Sequence, residues 1–111
     1  MTKQMVGKLR EREARILVLR IAATFPNHQA TIARIKKEVP SYRDLSDADL
    51  KPSPTRPNEQ MWQQIVGNVV SHESASTSIF SRGWAIRIAS RNSIRVTEKG
   101  IAYLKSLGLY E

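Results

Sequence analysis

The chain has 111 residues, no cysteine, and 18 lysines and arginines against 10 aspartates and glutamates, which gives a formal net charge of +8. This length fits one domain built around one hydrophobic core. The lack of cysteine excludes a disulfide framework and a thiolate metal site, and it suits a reducing compartment. No apolar run approaches the roughly 18 residues that a membrane span needs. We therefore expect a cytoplasmic protein with no membrane role, whose positive charge favours a polyanionic partner.

The first two predicted helices form a scaffold. In the first, from about Lys8 to Thr24, apolar residues recur every three or four positions, and Pro26 ends it. Thr31 is a suitable N-cap for a second helix, which we expect to end at Val39 because Pro40 forbids continuation. This second helix is expected to be the scaffold helix of a helix-turn-helix.

A proline-bearing connector follows, from Ser41 to Pro57. Each proline pushes the preceding residue away from the α region, so a long helix is excluded here. Ser46 and Asp49 have the spacing that caps one short turn. Together with Asp44 and Asp47, Asp49 lacks the glycine and the distal glutamate of a calcium loop. We expect these carboxylates to be solvated, and we assign them no metal.

The third predicted helix, from about Glu59 to His72 with Asn58 as its N-cap, has two contrasting sides. An apolar stripe that includes Trp62 belongs to the core. The other side carries amides and no charge, whereas a solvent-facing helix surface usually carries Glu and Lys. Amide side chains can bond bidentately to the N6 and N7 edge of adenine. The residues expected to read bases are Gln60, Gln63, Gln64 and Asn68.

Gly67 lies within this third helix, where glycine costs about 1 kcal/mol of helix stability relative to alanine. A compensating gain is expected at this position. Close approach of the helix backbone to a phosphate would supply one, and close packing against a neighbouring residue would supply another. The sequence does not separate the two explanations.

The segment from Ser74 to Thr97 contains four arginines and no acidic residue. Alternating apolar and polar positions predict a β-hairpin with one buried face. The expected buried positions are Trp84, Ile86, Ile88, Ile94 and Val96. The tip, Ala89 to Ser93, is placed like a wing that reaches a neighbouring groove or phosphates. Thr97 then caps a closing helix, for which Gly108 is the expected terminator.

Two stretches resemble a known family. The run RPNEQMWQQIVGNVVSHES from Arg56 and the run IRVTEKGIAYL from Ile94 resemble the N-terminal winged-helix domain of the Mrr-like restriction family. The resemblance covers about Ile16 to Leu107, and it implies a DNA-reading domain of the kind that accompanies a separate nuclease domain. We expect no nuclease domain here, because the chain stops at Glu111 and shows no spaced Asp, Glu and Lys set for a catalytic metal. The resemblance therefore implies recognition without cleavage.

The predicted fold is a single α+β winged helix-turn-helix domain over residues 1–111, with a three-helix core, a C-terminal β-hairpin wing and a closing helix. Residues 1–7 are expected to form a loose N-terminal arm. The predicted function is non-catalytic binding of double-stranded DNA, without cofactor or metal, in the manner of a transcriptional regulator and often as a homodimer. The residues expected to contact the DNA backbone, or to lie on the wing, are Arg82, Arg91, Asn92, Arg95, Lys51 and Arg56.

Alternatives to DNA binding come from other classes. The two histidines, His28 and His72, lack cysteine partners and a second nearby histidine, so zinc chemistry finds no support and we expect no enzyme. A protein-interaction module fits the same features, for example a phage-type inhibitor of a nucleic-acid-binding defence complex. RNA binding would need exposed aromatic residues for stacking, and the core explains Trp84 and Tyr103 better.

Overall fold

A computed structural model describes residues 7–88 and 92–110 and shows an α+β fold. In chain order its elements are α1 (Glu11–Ala22), a 3-10 turn (Pro26–His28), β1 (Gln29–Thr31), α2 (Ile32–Tyr42), α3 (Asp47–Leu50), α4 (Met61–Ser71), β2 (Ala85–Ile88), β3 (Ser93–Val96) and α5 (Glu98–Ser106). None of the helices in the described part of the chain has the length and apolar character that a bilayer crossing requires.

Helix α1 lies at the centre of the fold and packs against α2, α4, α5 and β3. Ala14, Val18 and Ile21 are fully buried, which confirms the apolar face predicted from the spacing. The predicted stripe of α4 is also confirmed, since Trp62 is 6% exposed and Val66 is fully buried. Apolar surface removed from water at these positions is the main force that holds the helices together.

The three strands form an antiparallel sheet in the order β1-β3-β2. Strand β3 follows its prediction, with Ile94 and Val96 buried and Arg95 exposed. Strand β2 does not, because Ala85 is buried and Ile86 is 41% exposed. Alternation defines two faces of a strand without saying which one meets the core. Pairing with β3 determines which face of β2 is buried. It places Ile86 opposite the exposed Arg95, on the outer face of the sheet.

Helix α1 spans Glu11–Ala22 instead of about Lys8 to Thr24, and two boundaries of other helices also differ from their predictions. Helix α2 begins after the predicted N-cap Thr31, whose hydroxyl accepts a hydrogen bond from the Arg34 N–H at 3.1 Å. The helix continues through Pro40 to Tyr42, so the predicted end at Val39 is wrong. A proline removes only one backbone donor. The last turn is still closed by the Arg43 N–H, which donates to the Val39 carbonyl at 3.1 Å.

The start of α4 is the second difference. The predicted N-cap, Asn58, has φ of 68° and lies outside the helix, which begins at Met61 with Gln60 as its N-cap. A backbone in this left-handed region cannot precede a helix as an N-cap, which needs an extended conformation. The two residues after Asn58 instead pair with the connector, since the Ser53 N–H donates to the Glu59 carbonyl at 2.8 Å and Gln60 forms an antiparallel bridge with Pro52.

The connector contains the short helix α3, and its predicted cap is confirmed, because Ser46 and Asp49 form a reciprocal capping box. The expectation of solvated carboxylates is wrong for Asp49, which is fully buried. Its carboxylate accepts hydrogen bonds from the Leu9 N–H at 2.8 Å and the Ser46 N–H at 2.9 Å, and it pairs with Arg43 at 3.1 Å. Three donors compensate for the loss of water around this charge.

The closing helix α5 is locked to the base of the hairpin. The Thr97 hydroxyl accepts from the Gly100 N–H at 3.1 Å, as predicted, and donates to the Gly83 carbonyl at 2.6 Å. Gly100 is required there, because a Cβ at this position would lie 2.1 Å from the Trp84 carbonyl oxygen. The helix ends at Ser106, two residues before Gly108.

Candidate nucleic-acid interface

The amide side chains at the start of α4 hold the end of their own helix. The Gln60 side-chain oxygen accepts from the Trp62 indole N–H at 2.8 Å, and the Gln63 backbone N–H donates to the Gln60 backbone carbonyl at 3.0 Å. In return, the Gln63 side-chain oxygen accepts from the Gln60 N–H at 2.7 Å. This reciprocal arrangement satisfies backbone donors that the first turn of a helix otherwise leaves without partners.

The two other amides of α4 are held by the connector. The Ser53 hydroxyl donates to the Gln64 side-chain oxygen, and the Arg56 guanidinium donates to the Asn68 side-chain oxygen at 3.5 Å. The connector stays close to α4 because the Ser53 N–H donates to the Glu59 carbonyl at 2.8 Å. All four amides predicted to read bases are therefore half-buried, and each uses its oxygen within the molecule. Each side chain also carries an NH2 group, which is a donor only.

Two cations from different elements meet over Gly67. The Lys36 ammonium, from α2, lies 2.8 Å from the Glu59 carboxylate, and the Arg56 guanidinium lies 3.8 Å from the other oxygen of the same carboxylate. A Cβ on Gly67 would lie 2.7 Å from Arg56 Nη1 and 3.4 Å from Lys36 Nζ. The space that a side chain at Gly67 would fill is therefore occupied by the ends of two positively charged side chains.

A groove of about 540 Å³ lies between α2 and the start of α4. We call it the α2–α4 groove, and its polar and aromatic lining residues are Lys36, Lys37, Glu59, Trp62, Gln63 and Asn92. The groove brings together one residue from the predicted base-reading set, Gln63, and one from the predicted wing set, Asn92. Lysines on one wall and an amide on each of two other elements suit a ligand that offers negative charge and hydrogen-bond acceptors.

The other predicted backbone contacts do not line this groove. Lys51 and Arg95 are exposed, and Arg95 lies on the outer face of the sheet opposite Ile86. Arg82 is exposed beside α5, 5.6 Å from the ring of Trp84. Arg91 lies outside the described residues.

The hairpin is less uniformly positive than its sequence indicates. Arg87 pairs with Glu73, just before the acid-free segment, at 2.6 Å, and it donates to the Asn92 side-chain oxygen at 3.3 Å. Trp84 is half-buried and stacks on Tyr103 of α5, with ring centroids 3.8 Å apart and an angle of 7° between the planes. This stack joins the hairpin to α5 and accounts for both aromatic residues structurally.

Sequence reasoning missed Lys36 and Lys37, because α2 was treated as scaffold alone. Their only signal was two adjacent lysines on a short amphipathic helix. Which of its faces meets α4 depends on packing between helices, and periodicity within one helix does not define it.

Comparisons with protein-family models, with curated proteins and with solved structures give no match.

Proposed function

We propose that this protein is a small winged-helix protein that binds double-stranded DNA without cleaving it. The observation that carries the proposal is the α2–α4 groove, where Lys36, Lys37, Gln63 and Asn92 converge from α2, α4 and the end of the hairpin loop just before β3. A duplex offers phosphate charge to the lysines and base-edge acceptors to the amide NH2 groups.

The layout of the elements supports the winged-helix part of the proposal. A strand lies between α1 and α2, α4 follows the connector, and the hairpin of β2 and β3 completes a sheet in the order β1-β3-β2. In proteins of this kind the second helix of the helix-turn-helix enters the major groove with its N-terminal residues. The N-terminal residues of α4 are Gln60 and Gln63, and the resemblance to Mrr-like DNA-reading domains points to the same helix.

Within this proposal, Gln60 and Gln63 contact bases, and exposed cations such as Lys37, Lys51 and Arg95 contact phosphates. Gln64 and Asn68 belong to the same proposed reading surface but lie beneath the connector. Base contacts by these two amides need either their NH2 groups alone or a shift of Ser53 and Arg56. Contacts with the DNA backbone need no shift of these residues. We therefore expect that affinity independent of base sequence dominates.

The test is binding of a random-sequence duplex at several salt concentrations, followed by fluorescence anisotropy. If four to six phosphates are neutralised, log affinity against log salt falls with a slope of about −4 to −5. Lys37→Gln should reduce that slope by about one, because one phosphate contact is lost. Lys105→Gln, which removes an equal charge from an exposed position on α5, is the matched control and should leave the slope unchanged.

A salt-independent interaction, or no interaction at low salt, would overturn DNA binding. The hypothesis of a protein-interaction module would then replace DNA binding, since the half-buried amides of α4 are equally compatible with a surface that contacts another protein. A wing arginine would in that case matter only for a partner with an acidic surface.

A further inference from the structure

We propose that Lys36 and Arg56 form a phosphate-binding pair for the nucleic-acid backbone, and that Glu59 occupies this pair as an internal counterion in the free protein. The inference rests on the proposed function and deepens it. Glu59 would then be a residue that limits affinity, because a backbone phosphate must displace its carboxylate from the two cations.

The first observation is that the charges are unequal. Lys36 and Arg56 share the single carboxylate of Glu59, so the cluster keeps one net positive charge. One carboxylate oxygen lies 2.8 Å from Lys36 Nζ, within hydrogen-bond distance. The other oxygen is 3.8 Å from Arg56, is buried, and has no hydrogen-bond partner among the described residues. A buried acceptor without a donor raises the free energy of this arrangement and makes the carboxylate easier to displace.

The second observation is the contrast with Arg43, the other arginine of the connector. The Arg43 guanidinium donates to Glu13 at 2.7 Å, to Asp49 at 3.1 Å and to the Gly7 carbonyl at 2.6 Å, and its side chain is 11% exposed. The Arg56 side chain is 37% exposed, and its nearest acceptors are the Asn68 oxygen at 3.5 Å and Glu59 at 3.8 Å. Arg43 has the contacts of a structural cation, whereas Arg56 retains donors for a bidentate contact with phosphate oxygens.

The third observation is the glycine beneath the pair. Without a side chain at Gly67, the ends of Arg56 and Lys36 lie directly against the backbone of α4. Two cations are thereby held together beside the α2–α4 groove, of which Lys36 and Glu59 are lining residues. A phosphodiester oxygen placed between the cations would satisfy both, and the released carboxylate would return to solvent, where its hydration is favourable.

The experiment compares Glu59→Gln with Glu98→Gln, an equal charge change on α5, for binding to a random-sequence duplex. Glu59→Gln should bind about three- to tenfold more tightly at about 50 mM salt, because the phosphate no longer competes with a carboxylate for the two cations. This gain should shrink by roughly threefold between about 50 and 200 mM salt, because the variant site carries one more net positive charge for the phosphate backbone. Glu98→Gln should change affinity by less than about twofold, since a distant charge is screened.

A further variant tests the role of Lys36. In the double variant Lys36→Gln/Glu59→Gln, the gain in duplex affinity over the wild type should fall to that of Glu98→Gln. Thermal unfolding of each variant should show that it remains folded. If the wild type binds duplex but Glu59→Gln gains no more than Glu98→Gln, the inference is overturned while the proposed function stands. Absence of duplex binding by both wild type and Glu59→Gln overturns both. Saturable binding of inorganic phosphate by Glu59→Gln without a gain on duplex also overturns the assignment to the backbone.

Discussion

Two glycines in helices show how the atoms beside a single position limit which residue fits there. Gly67 and Gly100 are both helical glycines, but their neighbours differ. At Gly67 the space is occupied by the flexible end of Arg56, and at Gly100 it is occupied by the rigid backbone carbonyl of Trp84. Of the two explanations left open for Gly67, the structure shows a packed neighbour, and that neighbour is itself a cation.

The same substitution should therefore have opposite effects at the two glycines. Gly67→Ala should leave the free energy of unfolding unchanged or raise it by up to about 1 kcal/mol, because alanine favours the helix and Arg56 can move. Gly100→Ala should lower it by about 1 to 3 kcal/mol, because the carbonyl 2.1 Å from the new Cβ cannot move freely. Urea denaturation measures both values. A larger loss for Gly67→Ala than for Gly100→Ala would contradict this account.

At the scale of the element, α4 has to serve two purposes with the same residues. Gln60 and Gln63 close the first turn of the helix, and they are also the amides proposed to read bases. A cap that uses the side-chain oxygen leaves the NH2 group for a ligand. The fixed geometry of the cap also orients that group before a ligand arrives, which reduces the entropy lost on binding.

Two substitutions at Gln63 should separate the cap from the interface. Gln63→Ala should lower the free energy of unfolding by about 0.5 to 1 kcal/mol, because the Gln60 N–H loses its acceptor. Gln63→Glu keeps an acceptor and places a negative charge at a helix N-terminus, so its stability should lie within about 0.5 kcal/mol of the wild type. Its duplex affinity should nevertheless fall several-fold, because a second carboxylate then lines the groove beside Glu59. Unchanged affinity of Gln63→Glu would remove the start of α4 from the proposed interface.

For the whole molecule, the network around Asp49 joins segments far apart in the chain. Leu9 precedes α1, Arg43 follows α2, and Ser46 caps α3, and all three donate to one carboxylate. Burial raises the pKa of Asp49, but the hydrogen bonds from Ser46 and Leu9 and the charge of Arg43 outweigh burial and hold that pKa below its ordinary value. The ionised carboxylate therefore stabilises the fold.

Because the pKa of Asp49 is lowered in the folded protein, the free energy of unfolding should decrease in acid. A carboxylate with a lowered pKa contributes stability that is complete above its unfolded pKa of about 3.9, and the contribution is lost as pH falls through the lower folded pKa. Asp49→Asn should lower the free energy of unfolding by about 1 to 3 kcal/mol at neutral pH and should weaken the decline in acid. Asp47→Asn, at an exposed carboxylate of the same turn, is the control. Chemical denaturation at several pH values checks this, and parallel pH profiles for wild type and Asp49→Asn would contradict it.

The sequence alone determined the features that arise between near neighbours in the chain. The buried faces of α1 and α4 follow from helical periodicity, and the caps at Thr31, Ser46 and Thr97 follow from hydrogen bonds to residues three positions away. These features need no knowledge of the rest of the fold. The α+β composition of the chain was predictable for the same reason.

Only the tertiary structure decided which of these surfaces meet. The inward face of β2 depends on its register with β3, and the cover over the amides of α4 depends on Ser53 and Gln64, which are 11 residues apart. Burial of Asp49 depends on Leu9, 40 residues away. Contacts across such separations are selected by how all the elements pack at once, because no local pattern of charge or hydropathy records which distant residue will supply the partner.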